Sequence, residues 1–327
     1  MGIKHLNRFL LDNCNKKSIT KIHLSKLTGR TLVIDVSIYL YKFLSENALL
    51  ENMYLFISIL KKYDITPIFI FDGKPPPEKK QLLIKRLVDK MEAENKYLNI
   101  KEELLSETNE EKKEEKILEM ELLKKQFIRI KDDDLCKVKQ LFDAYGVSYF
   151  VAPSEADQLC GYLNNTQQAW GCISDDMDMF LYGCNYIIRH ISLLNHTAVL
   201  YDRKKILSDL NMSSQLFNEI MILSGTDYNI NNDTSLNETI KWYYEYMKYI
   251  EKEVCNKQPY SFYVWLMKNT KYIKNYNSLL RTYQLFQIDK NDYLENFKID
   301  NNVDNVNNIN FDKLYNVMEK EGFLFVK

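Results

Sequence analysis

Asp176 and Asp178 stand two residues apart in the segment Ser174-Asp175-Asp176-Met177-Asp178. Three apolar runs elsewhere also lead into acid. Thr31-Leu32-Val33-Ile34 meets Asp35, Pro67-Ile68-Phe69-Ile70-Phe71 meets Asp72, and Val147-Ser148-Tyr149-Phe150-Val151 is followed closely by Glu155 and Asp157. Runs of this length and composition, separated by helix-length segments, predict buried strands of a parallel α/β sheet. Such sheets carry their ligand sites beyond the carboxyl ends of the strands. One acid at one strand end is most often a cap or a turn residue. The same arrangement at four strand ends predicts a crevice into which carboxylates converge, with Asp227 of Gly225-Thr226-Asp227-Tyr228 as the seventh.

Seven crowded carboxylates repel and raise one another's pKa values unless cations sit among them. The four histidines (His5, His23, His190, His196) show no ligand spacing and the six cysteines form no C-x-x-C pair, so hard oxygen donors dominate. That donor type favours two Mg²⁺ ions, with Mn²⁺ able to substitute, over zinc. Two such ions about 4 Å apart would activate water and stabilise the leaving oxygen of an in-line phosphodiester displacement. We expect Asp35, Asp72, Glu155 and Asp157 around one ion and Asp176, Asp178 and Asp227 around the other. Lys79 and Arg86, seven residues apart, share one face of a helix that starts beside Asp72. There they would orient the scissile phosphate and offset charge developing in the transition state. Tyr41, six residues after Asp35, is placed to stack on a nucleobase; an isolated aromatic is otherwise a core residue.

The elements that must position these groups follow from the rest of the chain. Its 327 residues, 46% hydrophobic and 13% aromatic, are enough for one large or two modest globular domains. We read strands at 32–35, 67–71, 147–151 and 170–173, a hairpin of strands at 186–191 and 197–201, and a helical stretch at 38–63. Helices are expected at 132–145, 203–209 and 213–224, with another after 151 opened by Pro153 and capped by Ser154. Asp72-Gly73-Lys74-Pro75-Pro76-Pro77 stops its strand, and residues 78–126, rich in Lys, Glu and Leu without Gly or Pro, predict charged helices that leave the sheet and return. Their first part is basic (Lys74, Lys79, Lys80, Lys85, Arg86, Lys90), whereas Glu110 to Glu121 mixes both signs as a solvated face does. The last third is helical, with Asn-rich loops at Asn231-Asn232-Asp233 and 300–310.

The net charge of −1 is dominated by the candidate ligands. Without those seven acids the remainder is basic, as contact with a phosphate backbone requires. No run approaches the roughly 18 apolar residues of a membrane span, and the N-terminus lacks the apolar core of a secretion signal. Met1-Gly2 opens a myristoylation pattern that Leu6 breaks. Free, mostly buried thiols in a reducing compartment and an intracellular, soluble chain are expected.

Six segments, in this order, resemble the flap endonucleases, the structure-specific 5′ nucleases of the excision-repair nuclease superfamily. They are Met1-Gly2-Ile3, Val33-Ile34-Asp35-Val36-Ser37-Ile38-Tyr39, Phe71-Asp72-Gly73-Lys74-Pro75-Pro76, Ala152-Pro153-Ser154-Glu155-Ala156-Asp157, Asp175-Asp176-Met177-Asp178 and Leu223-Ser224-Gly225-Thr226-Asp227-Tyr228. A weaker likeness continues through Tyr283-Gln284-Leu285-Phe286 and Phe311 to Phe323. The resemblance implies a PIN-like α/β nuclease core with a parallel sheet, split between residues 1–73 and 132–228. It also implies a helical arch at 74–131 through which a single-stranded 5′ flap threads, and a helical DNA-binding region at 229–327. The family's metal ligands fall on Asp35, Asp72, Glu155, Asp157, Asp176, Asp178 and Asp227, its arch cations on Lys79 and Arg86, and its stacking tyrosine on Tyr41. Gly2, Lys74, Lys80 and Lys85 are expected to meet the DNA as well.

The chain departs from the family at three places. Asp157 is one methylene shorter than the family's glutamate. The loop Asn229-Ile230-Asn231-Asn232-Asp233-Thr234-Ser235-Leu236 has no glycine to let backbone approach the downstream duplex. The sequence closes at Lys327 without a basic tail or sliding-clamp motif, so clamp recruitment is not expected. Cleavage of branched or 5′-flapped DNA in replication, repair or recombination is the expected activity. A 5′-3′ exonuclease acting at nicks, gaps or RNA-containing ends and a non-catalytic DNA-binding scaffold on the same fold are the alternatives. A monomer is expected, in the nucleus or, for a viral chain, at a cytoplasmic replication site.

Overall fold

The computed structural model describes residues 2–229, 234–253, 260–288 and 309–323. In chain order the elements are α1 (Leu6–Asn13), β1 (Ile19–His23), β2 (Thr31–Asp35), α2 (Val36–Ser45), α3 (Leu49–Lys62), β3 (Thr66–Phe71), α4 (Lys80–Ser106) and α5 (Glu110–Gln126). There follow α6 (Asp132–Tyr145), β4 (Ser148–Val151), α7 (Ala156–Asn165), β5 (Gly171–Ile173), β6 (Tyr186–Ser192), β7 (Thr197–Asp202), α8 (Arg203–Asp209) and α9 (Ser214–Leu223). The last described helices are α10 (Leu236–Glu253), α11 (Phe262–Asn269), α12 (Tyr276–Leu285) and α13 (Phe311–Glu319). The expected loops at 231–233 and 300–308 lie outside the described residues. The chain divides into two compact units, one of Met1–Asp35, Leu60–Lys74 and Phe150–Asn301, the other of Val36–Ile59, Pro75–Tyr149 and Asn302–Lys327.

The first unit is built on a sheet of order β1-β7-β6-β5-β2-β3-β4. β2 pairs in parallel with β3 and β5, and β5 with β6. Leu32, Val33, Ile34 and Ile68 to Phe71 are buried, the two-sided burial that makes a central parallel strand a continuous apolar run. The sheet is mixed rather than wholly parallel. β6 and β7 form the expected antiparallel hairpin, and β1 adds to β7 from Ile19↔Tyr201 to His23↔Thr197. Sequence reading missed β1 because Ile19-Thr20-Lys21-Ile22-His23 has neither an apolar run nor strict alternation; it is a strand because β7 offers it an edge. One core gathers α1, the sheet, α7 and the helices from α9 to α12, and includes Leu6, Val33, Cys160, Phe180, Phe217, Phe262 and Phe286.

The second unit is helical. The expected stretch at 38–63 is two helices, interrupted where Asn47 takes a left-handed conformation at φ 52°, which asparagine tolerates. The charged stretch likewise breaks at 107–109, where Asn109 Oδ1 accepts from Lys112 N at 3.3 Å and starts α5. α4 and α5 then pack against each other as a hairpin. Tyr39, Phe43 and Phe56 form a ring cluster under α2 and α3, and Ser58 Oγ lies 2.5 Å from Tyr145 Oη on α6.

Candidate active site

All seven predicted acids belong to the first unit. Ile34 of β2 stands opposite Ile173 of β5, so the next residues, Asp35 at the end of β2 and Ser174 just past β5, lie side by side. Ser174 Oγ donates to Asp35 Oδ2 at 3.3 Å and accepts from Asp176 N at 3.1 Å. Asp176 Oδ1 in turn accepts from Asp178 N at 2.9 Å, capping the short turn Met177–Phe180. Asp35, Asp176 and Asp178 are only 5 to 7% exposed. Gly2 completes this group: its φ is +75°, and a Cβ there would strike Oδ1 of both Asp176 and Asp178. Only glycine combines that backbone with that approach.

A second group forms where β3 ends. Ala152 N donates to Phe71 O at 2.9 Å and Gly73 N to Ser154 O at 2.7 Å, which lays the turn after β3 along the segment that enters α7. The exposed Asp72 then accepts from Ala156 N at 2.9 Å through Oδ1. This corrects the expected cap: α7 begins at Ala156, not at Pro153, and the donor in its first turn is met by Asp72 from a remote strand end rather than by Ser154. Glu155 is buried at the N-cap position, and Asp157 is half-buried in the first turn of α7. Tyr228 Oη donates to Glu155 Oε2 and lies 3.2 Å from Tyr182 Oη. Asp227, half-buried in the turn after α9, is carried beside that tyrosine.

The two groups share one field. Burial pushes the Cys160 thiol up to about 12, and the charges of Asp35 and Asp157 add to the rise. Burial also lifts Tyr182 well above the ordinary tyrosine range, with Tyr228, Asp157 and Asp178 reinforcing it. Tyr228 is raised by burial and then by Glu155. A hydroxyl held neutral remains a donor, so Tyr228 can hold the Glu155 side chain in place.

The buried Cys160 thiol is therefore a poor ligand. The donors that remain are carboxylate oxygens, which suit a hard divalent cation. Among the described residues no three His, Cys, Asp or Glu side chains are gathered into a ready metal cage. The acids stand instead as Asp176 and Asp178 against Gly2, with Asp35 linked to Asp176 through Ser174, and as Asp72, Glu155 and Asp157 at the start of α7. Donor type and the side-chain-free approach at Gly2 fit such an ion.

Lys74, exposed, ends its segment of the first unit, whereas Tyr41, Lys79, Lys80, Lys85 and Arg86 belong to the second. Lys79 closes the short turn Pro77–Lys79 that runs into α4, and Arg86 lies two turns along that helix; both are half-buried, while Lys80 and Lys85 are exposed. Tyr41 is 44% exposed on α2, and Lys90 Nζ sits 4.9 Å from its ring centroid. Ser174, Tyr182 and Tyr228 were not singled out from sequence. Position two residues before Asp176 marks the first and position next to Asp227 the last, but nothing local marks Tyr182.

Profiles of the XPG N-terminal domain and the XPG I-region match residues 1–93 and 146–227, more than half of the chain and all seven acids. The chain is 32% identical over 247 residues to "Flap endonuclease 1" of Glycine max, an alignment covering 70% of this chain. It spans 62% of the length of that relative. It is 28% identical to "Probable RAD2-like endonuclease 369L" of Invertebrate iridescent virus 6, covering 71% of this chain and 68% of that one. The solved catalytic core of Rad2 in complex with DNA substrate superposes with a TM-score of 0.64 over 96% of this chain and 95% of that one, at 19% identity. That likeness establishes a shared fold. The carboxylate groups described above thus lie within matched XPG regions, and the chain belongs to the XPG family.

Proposed function

We propose that this chain is a divalent-metal-dependent, structure-specific 5′ nuclease that hydrolyses phosphodiester bonds at 5′ flaps and DNA junctions, with Mg²⁺ as the working ion and Mn²⁺ as a substitute. The observation that supports the reading is the pair of hydrogen-bonded links inside the matched XPG regions: Ser174 joins Asp35 to Asp176, whose neighbour Asp178 faces Gly2 with it, and Asp72 caps the helix whose start carries Glu155 and Asp157. Bound ions would supply an activated water and a Lewis acid for the departing oxygen. The chain's own residues do the rest. Ser174 fixes the spacing of Asp35 and Asp176, the Asp72 bond to the α7 backbone sets Glu155 and Asp157, and Tyr228 holds Glu155. Lys79 and Arg86 orient the scissile phosphate and offset its growing charge. Tyr41 stacks on a base, and Gly2, Lys74, Lys80 and Lys85 contact the DNA, with residues 74–131 acting as an arch around the single strand.

The glycine-free sequence from Asn229 to Leu236 favours keeping a second reading, a 5′-3′ exonuclease with weak grip on the downstream duplex. End-labelled 5′-flap, nicked, blunt-duplex and single-stranded DNA, each with Mg²⁺ or EDTA, separate the two. Metal-dependent cuts clustered at the flap base are expected. Stepwise 5′ degradation alone would establish the exonuclease, and tight binding without cutting in any metal would overturn both.

A further inference from the structure

Arg189 on β6 is 6% exposed, yet it touches none of the seven acids by any bond described above. Its Nη2 donates to the carbonyl of Asp175 at 2.8 Å, and its Nη1 donates to Asn7 Oδ1 on α1 at 3.0 Å. Tyr201 Oη also donates to Asn7 Oδ1, at 2.7 Å, and the Arg189 guanidinium lies 5.5 Å from the centre of the Tyr201 ring. β6 grips Asp175 a second time, since His190 N donates to Asp175 Oδ1 at 2.8 Å. That bond is possible because the β6–β7 register slips between Arg189 and Ser192, where His190 takes a φ of +53°. Such bulges re-aim the groups next to them.

Asp175 immediately precedes Asp176 and lies three residues before Asp178, and Asn7 lies five residues after Gly2. One planar fork therefore ties together the turn that carries two acids and the chain start that closes over them. The missing Cβ of Gly2 shows how tightly those two segments must be registered. We propose that Arg189, acting through Asp175 and Asn7, is the positioning residue that registers the Asp176–Asp178 turn against Gly2 and so sets the affinity of the carboxylates for a divalent ion. The inference rests on the divalent-ion reading. A guanidinium suits the task because its donors diverge in a fixed plane; an ammonium keeps the charge but not the two-directional bridge. Residues that orient metal-binding groups typically change ion affinity by about 10- to 100-fold when removed.

The test is calorimetric titration of Mn²⁺, without DNA, into the wild type and variants, well below the melting midpoint of each. Arg189→Met is expected to weaken Mn²⁺ binding at least about tenfold, and Arg189→Lys to recover only part of the loss. Asn7→Ala, which leaves Arg189 in place, is expected to weaken it by a smaller factor and serves if Arg189→Met does not fold. Asp209→Asn is the structural control. Asp209 holds the far end of the same N-terminal segment through Asn15 N at 2.9 Å and Ser18 Oγ at 2.6 Å, so its loss should lower the melting midpoint and leave Mn²⁺ affinity unchanged. Wild-type affinity in folded Arg189→Met or Asn7→Ala overturns the inference alone. No Mn²⁺ uptake by the wild type overturns the ion reading and the inference with it.

Discussion

The carboxylate unit keeps its decisive charges inside, whereas the hairpin of α4 and α5 wears its charges outside. Asp35, Glu155, Asp176 and Asp178 are 5 to 7% exposed, and the first three accept from Ser174, Tyr228 and the Asp178 backbone respectively. Glu94 of the hairpin pairs at 2.7 Å with Arg129 of the segment after α5, their side chains 41% and 55% exposed, and Lys113 and Glu110 of α5 pair at 2.7 Å with the glutamate 81% exposed. Burying several like charges destabilises a fold, and bound cations would offset that cost. Exposed pairs contribute little, about 0 to 1 kcal/mol each, and leave their helices free to be shaped by function. The contrast separates a preorganised site from a solvated surface, and each of the following changes breaks or sharpens it.

The largest effect is expected at the centre of the buried group. Asp176→Ala removes a carboxylate and the cap on Asp178 N together, and single-turnover cleavage of a 5′ flap should fall at least about a thousandfold while DNA affinity stays measurable. Next come the cations of the helical unit. Lys79→Ala and Arg86→Ala should each slow single-turnover cleavage by roughly 10- to 100-fold with a much smaller change in binding; a loss confined to affinity would make them general phosphate contacts. Gly2→Ala places a methyl group against Asp176 and Asp178 at a φ that costs about 1 to 2 kcal/mol for a non-glycine residue. A fall in cleavage of about tenfold, read by the same assay, is the expected result. The smallest effect lies on the exposed hairpin, where Glu94→Gln should alter unfolding free energy by less than about 1 kcal/mol in a denaturant titration.

Most of the acid-bearing strands were legible because residue type and position coincide there: an apolar run that ends in Asp needs no partner to be noticed. Asp35 and Asp176 were marked that way, and the helices from α6 to α9 were read from their own sequence. What escaped depends on distant chain. β1 exists through its pairing with β7, and the bond that sets the start of α7 comes from Asp72, 84 residues away. Arg189 reads as an ordinary residue of a strand until Asn7 and Asp175 are brought to it. The breaks at 46–48 and 107–109 lack Gly or Pro and rest on asparagine conformations that local propensity does not reveal.

The central claim, that the buried carboxylates exist to hold divalent ions, is tested most directly by counting Mn²⁺ bound per chain by electron paramagnetic resonance in the wild type and in Asp176→Ala. Two ions per wild-type chain, with at least one lost in the variant, is the predicted result. Equal uptake by both proteins, or none by the wild type, would contradict it.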